Sequence, residues 1–402
     1  MTQHIAITNA RLLGGGTSLL IEGDRIAGHD LPIPDGAKII DAKGAHVAPG
    51  IVDLGVFSVD KRACIAGGIT RIALMPDQTP VLDEPGIVQR AALAAKPDLW
   101  VHPLAAATRG LNGRELGEYA MMRKTGAKAV ATGRGWIADS GVMMKVMTYA
   151  ASLGLTIISH AEDAGLTGGA VATSGETASR LGLASAPAQA EAMAIARDIM
   201  LADMTGARIH FRNVTTRQGL ELVRTAKAKG LAISCGISPT HLFLSEIAIN
   251  EFRTFARLSP PLRSEADRQA CLEAISDGTI DVLCSSHDPR GPEAKRLPFA
   301  DADPGAAGAE TLLALTLGLV RDGLVSMERL FELLALNPSR LLGIDSGQLA
   351  PGAPADVILF VPGTPWQIDA TKFVGQAGNT PFDKIPVQGR VISTIKGGRI
   401  LG

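Results

Sequence analysis

Two kinds of apolar pattern alternate through the middle of the chain. Short runs rich in Val, Ile and Ala fall at 51–57, 69–75, 100–105, 127–131, 155–160, 207–212, 230–236 and 279–285, and each reads as a strand. Between most of them the apolar positions recur at helical spacing, clearest at 141–153, 188–204, 214–229 and 264–276, with two further helical patterns at 309–322 and 326–343. Strands alternating with helices predict parallel βαβ units, and eight strands predict a closed (β/α)8 barrel rather than an open sheet.

The two ends read differently. Ile5-Ala6-Ile7, 18–21, 25–27 and 39–42 are short strand patterns separated by turns, and so are 355–360 and 391–395. Gly397-Gly398-Arg399-Ile400 echoes Gly23-Asp24-Arg25-Ile26. The expected organisation is therefore a small β-sandwich domain built from 1–48 and 345–402 around a barrel at 49–344. The hinge between them is Ala48-Pro49-Gly50-Ile51-Val52-Asp53-Leu54-Gly55-Val56-Phe57, a Pro-Gly turn feeding the first barrel strand. Side chains alternate on a strand, so Asp53, Gly55 and Phe57 are expected to share the face that looks into the barrel mouth.

Composition narrows the classes of function. The 402 residues are 46% hydrophobic but only 4% aromatic, so the core is built from Ala, Val, Ile and Leu. There are 39 basic and 40 acidic residues and no block of like charge, which argues against a nucleic-acid or membrane partner. The stretch from Met1 to Ala6 lacks the layout of a signal peptide, and no apolar run reaches the roughly 18–20 residues a bilayer span needs. Cys64, Cys235, Cys271 and Cys284 form no CxxC and read as reduced, buried thiols of a cytoplasmic protein.

A series of motifs then falls in a fixed order. Pro49-Gly50-Ile51-Val52-Asp53 opens the first strand. Ala66-Gly67-Gly68-Ile69-Thr70 and Met75-Pro76-Asp77-Gln78-Thr79-Pro80 flank the second, and His160-Ala161-Glu162-Asp163 ends the fifth. Ala190-Glu191-Ala192, Ser259-Pro260-Pro261-Leu262-Arg263, Asn337-Pro338-Ser339-Arg340 and Asn379-Thr380-Pro381-Phe382 follow. Together they resemble the dihydroorotases of the cyclic amidohydrolase superfamily over nearly the whole chain. The resemblance implies a TIM-type barrel of that superfamily with a composite β-sandwich. It also implies a cyclic amide opened and closed by metal-activated hydroxide, with a carboxylate moving the proton.

The positions that would carry this chemistry hold other residues. The family's His-x-His is Gly55-Val56-Phe57, its bridging acid falls on Gly133, its sixth-strand histidine on Asn213, and its catalytic aspartate on Ser286. His160 is the surviving ligand-type residue. Among substrate anchors, an asparagine is Asp77, a second is Ser259, a histidine is Arg290, and an arginine aligns with Val59. His210 and His287 are expected to point away from the mouth by strand alternation. Phe57 and Trp136 either fill the vacated volume or line a new pocket. Arg134 and Arg290 either bind an anion or pair with Asp77, Asp139 or Asp288. His241 is expected to shape the loop after the seventh strand.

The resulting expectation is a catalytically inactive dihydroorotase homologue without cofactor, in a homo- or hetero-oligomer; the resemblance implies that such a chain acts as a scaffold for aspartate transcarbamoylase in pyrimidine synthesis. The alternative is a metal-dependent amidohydrolase with a reduced site, a single zinc at lowered affinity held by His160, Asp288 and waters. A third is a metal-free sensor of small molecules built around Arg134 and Arg290.

Overall fold

In the computed structural model, which describes residues 4–401, the eight expected strands are present. They are β1 (Ile51–Val56), β2 (Ile69–Leu74), β3 (Trp100–Ala106), β4 (Ala129–Ala131), β5 (Ile157–Ser159), β6 (Ile209–Phe211), β7 (Ile233–Ile237) and β8 (Val282–Leu283). Each pairs in parallel with the next, so spatial order equals chain order. Of the N-terminal stretch read for targeting signals, residues 1–3 lie outside the described part. No helix among the described residues is long and apolar enough to cross a membrane.

The gap between β8 and β1 is bridged rather than laddered. Phe57 N–H donates to the His287 carbonyl at 2.9 Å, and the fully buried Asp53 carboxylate accepts from Ser285 N–H at 2.8 Å and from its hydroxyl. Burial raises the pKa of Asp53, against the two Ser285 bonds that favour its charge.

This corrects the expected phase of β1. Val52 and Leu54 face the barrel interior, beside Ala73, Leu104 and Ile158, while Ile51 and Val56 face the surrounding helices. Gly55 is an extra residue in the register with β2, at φ +88°, and this bulge shifts the alternation so that Phe57 returns to the interior. Asp53, Gly55 and Phe57 therefore do not share one face. His210 is corrected in the same way. Its neighbours Ile209 and Phe211 pack against the helices, so His210 points into the barrel, where Nδ1 meets Ser234 Oγ at 2.9 Å. Burial lowers its pKa to about 3.

Helices begin where side chains can cap them. Asp139 accepts from Val142 N–H ahead of α1 (Ser140–Ser152), Thr216 from Gly219 N–H ahead of α3 (Arg217–Ala228), and Ser264 from Asp267 N–H ahead of α4 (Glu265–Ser276). Between the first two, α2 (Gln189–Thr205) ends on the left-handed Gly206.

The termini form two sheets over one apolar cluster. A four-stranded sheet holds Arg25–His29, Leu19–Glu22, His4–Thr8 and Lys38–Asp41, and a five-stranded sheet holds Arg399–Ile400, Pro386–Lys396, Val357–Gln367, His46–Pro49 and Arg11–Leu12. Ile5, Leu19, Val47, Val357, Leu359 and Ile395 share that cluster, whereas Ile358 and Phe360 turn to the barrel's outer core. One long strand thus ties the two bodies together. Asp356 adds a buried tie, at 2.7 Å from Arg71 of β2 and 2.8 Å from Lys396.

Candidate functional site

The carboxyl ends of the strands gather the positions singled out in the sequence. Phe57, Asn213, Ser259 and Ser286 line one cleft of about 30 Å³, together with Arg134, Arg212 and Asp288. His160, Glu162, Trp136 and Arg257 line a neighbouring chamber of about 190 Å³. The two meet at Arg134, Leu258, Ser259 and Pro304. Val59 instead packs against the outer core.

Three arginines set the character of the inner cleft. Arg134 lies over the Phe57 ring at 3.8 Å and donates to Asp288 at 2.7 Å. Arg290 donates to the same carboxylate oxygen at 3.1 Å. Pairing with Asp288 is thus what Arg134 and Arg290 do here, while Asp139 serves as a helix cap. The third, Arg212, has its guanidinium 4.9 Å from the Phe57 ring centre, and its side chain runs past Gly55. A Cβ at position 55 would stand 3.0 Å from Arg212 Cδ, so the glycine leaves room for that chain. Arg212 Nη2 lies 3.4 Å from His160 Nδ1, its one side-chain polar partner among the described residues, and its Nε has none. Burial pulls the pKa of Arg212 down.

His160 is held from the other side by Glu162, at 3.3 Å from Nε2. An arginine can only donate, so the ring carries its proton on Nε2 and accepts at Nδ1. Glu162 also takes Arg263 Nη2 at 2.7 Å. Its burial opposes ionisation, but the His160 hydrogen bond and the Arg263 charge prevail and hold its pKa down to about 2. Behind it, Glu191 accepts from the N–H and hydroxyl of both Thr215 and Thr216.

The remaining positions are structural in their contacts. Asp77 accepts from Arg134 N–H at 2.8 Å, and a Cβ at Gly133 (φ +80°) would lie 2.8 Å from the same carboxylate. Asn213 Nδ2 donates to Ser286 Oγ at 3.3 Å, while its Oδ1 is buried without a partner. Arg290 is also tied to Asn379 and to the Pro304 carbonyl. His287 points away from the mouth, with Nε2 3.5 Å from Asp60. His241 ties its own turn to the Pro260 carbonyl at 3.0 Å. Sequence reasoning passed over Arg212, although counting by two from the helix-facing Ile209 and Phe211 places it inside.

A family model described as dihydro-orotase-like matches residues 47–219. The dihydroorotase of Syntrophotalea carbinolica is 37% identical, covering 98% of each chain, and that of Geobacter metallireducens is 35% identical, covering 95% of this chain and 94% of the relative. The chain belongs to the dihydroorotase family. Among solved structures, L-hydantoinase from Arthrobacter aurescens superposes with a TM-score of 0.87 at 24% identity, over 100% of this chain and 96% of the other. Dihydropyrimidinase from Brevibacillus agri gives 0.83 at 20% identity, over 99% and 95%. Both share this barrel fold.

These relatives correct two expectations. A non-enzymatic chain does not stand, because full-length relatives at 34–37% identity carry the name of an enzyme. The absence of any cofactor does not stand either, because the family to which the chain belongs is one of metal hydrolases. The side chains at this mouth still do not fit the family's metal centre. Among the described residues, no three His, Cys, Asp or Glu groups converge as ligands. His160 and Asp288 both face arginines, and a metal ion beside Arg212 would meet like charge.

Proposed function

We propose that this chain serves pyrimidine biosynthesis as a dihydroorotase-type cyclic amide hydrolase whose mouth departs from the family's metal centre. The observation that carries the reading is the end-to-end similarity to chains named dihydroorotase, at 34–37% identity. The mouth supports it with a surplus of positive charge suited to an acidic substrate. Its lining holds Arg134, Arg212 and Arg257 against Asp288 and Glu162, while Arg290 outside it is shared between Asp288 and Asp303. The His160–Glu162 pair borders the larger chamber, with Nε2 held by Glu162 and Nδ1 against the Arg212 guanidinium, so that the carboxylate, the imidazole and the cation form one chain at the mouth. No step is assigned to a metal, because the side chains present do not form its site.

The resemblance further supports a partnership with aspartate transcarbamoylase. The four free, buried cysteines support a reducing, cytoplasmic setting. The test is an assay of purified protein with dihydroorotate and carbamoyl aspartate. It is run as isolated, after chelation and with added zinc or manganese, alone and with the transcarbamoylase. Turnover above background that falls at least tenfold in Glu162→Gln is expected. Background rates under all of these conditions would overturn the reading, and failure of the two proteins to co-purify would overturn the partnership.

A further inference from the structure

The inner cleft contains an unanswered charge. Arg212 is 2% exposed, its guanidinium meets the neutral nitrogen of His160, and its Nε has no partner among the described residues. A buried cation without a counter-ion is costly, and proteins normally pair or neutralise such a group. Two carboxylates lie near enough to act on it, but Asp288 is already held by both Arg134 and Arg290, and Asp77, which accepts from Arg134 N–H, makes no hydrogen bond to Arg212. Asn213 Oδ1 is a second buried, unpartnered atom on the same cleft. A half-turn of that amide would keep the Ser286 hydrogen bond, with the hydroxyl donating, and would present N–H to the cleft. The volume, about 30 Å³, admits roughly two water-sized groups, the size of the two oxygens of a carboxylate. The adjoining chamber of about 190 Å³ has room for the rest of a small molecule.

We propose that the inner cleft is a carboxylate site in which the Arg212 guanidinium, assisted by Asn213, is the ligand's counter-ion. A planar guanidinium suits a carboxylate, since two of its N–H groups match the two oxygens. The anion sits against the edge of Phe57, and the ring of the ligand extends past Arg134 into the larger chamber. This deepens the reading above and takes its substrate class from it, but it concerns binding and not turnover.

The test is calorimetric titration of the intact protein with L-dihydroorotate, and with dihydrouracil, which has the same ring without the carboxylate. The parent is expected to bind dihydroorotate at least tenfold more tightly than dihydrouracil. Arg212→Met is expected to lose that tenfold preference, with an unchanged far-ultraviolet spectrum. Arg212→Lys keeps the charge without the fork and is expected to retain part of the preference. Equal binding of the two rings by the parent, no binding of either, or an unchanged preference in Arg212→Met would each overturn the proposal. Turnover with an unaltered preference in Arg212→Met would sink this inference alone. A lost preference with no turnover in any preparation would support it and sink the enzymatic reading.

Discussion

Two arginines end up equally deep at the barrel mouth with opposite surroundings. Arg263 is met on every side: Nε by Thr215 Oγ1 at 2.9 Å, Nη1 by Thr173 Oγ1 at 3.2 Å, and Nη2 by Glu162 at 2.7 Å and Glu191 at 3.5 Å. Arg212, one strand end away, meets one neutral nitrogen and an aromatic ring. A fully answered charge holds its surroundings in place, whereas an unanswered one makes the fold wait for something else. The first region is framework, and the second is a site.

The largest effect should come from cutting the framework. Glu191 has no exposure and binds two consecutive N–H groups and two hydroxyls, in addition to facing Arg263. Glu191→Ala leaves those donors and the guanidinium partly unanswered and should cost about 3–5 kcal/mol. Urea denaturation would show it as a lower midpoint at similar slope. A loss below about 1 kcal/mol would erase the distinction between the two arginines.

Acid should expose the same framework slightly less strongly. The pKa of Glu162 falls from 4.5 to about 2 on folding. A carboxylate lowered in this way contributes stability that is complete above 4.5 and disappears as pH drops through about 2. The shift corresponds to at most about 3 kcal/mol. Stability measured against pH should therefore decline across that window, and Glu162→Gln should flatten the decline. An unchanged slope in the variant would show that other carboxylates carry it.

Much of this contrast can be read in the sequence, but not all of it. The alternation of short apolar runs with helical patterns was enough to place all eight strands, because most strands bury apolar side chains on both the helix side and the interior side. The positions of Phe57, His160, Asn213 and Ser286 at one mouth followed from motif order. What escaped was phase. A glycine gives no apolar signal, so the bulge at Gly55 is invisible to a period-two count, and that count misassigned Asp53. On β6 the count was taken from Asn213, which lies beyond the last strand residue, so His210 was sent outward and Arg212 was not considered. Pairing was out of reach as well. Glu162, Glu191 and Arg263 are far apart in sequence, and only the closed barrel brings them together.

The unanswered arginine should respond with the opposite sign. Arg212→Met removes a buried charge that no carboxylate hydrogen-bonds and keeps much of the aliphatic volume. It should raise stability by about 1–2 kcal/mol in buffer free of small carboxylates. Added dihydroorotate should narrow the gap by stabilising the parent alone. A variant clearly less stable than the parent would mean that the His160 and Phe57 contacts already satisfy the charge.

The smallest effect tests which contact holds Arg212 while the cleft is empty. Its guanidinium lies 4.9 Å from the centre of the Phe57 ring, and that of Arg134 lies at 3.8 Å, so the ring faces two cations. Such contacts contribute about 0.5–1 kcal/mol each, more when water is excluded. A double-mutant cycle between Phe57→Leu and Arg212→Met isolates the pair, because neither substitution adds a polar group. The expected coupling is about 0.5–1 kcal/mol without ligand. It should fall once dihydroorotate is bound, because the ligand's carboxylate then replaces the ring as the main partner of the guanidinium. Coupling that stays the same with ligand bound would place the anion elsewhere and would make the ring, rather than any substrate, the reason this cation is tolerated inside the barrel.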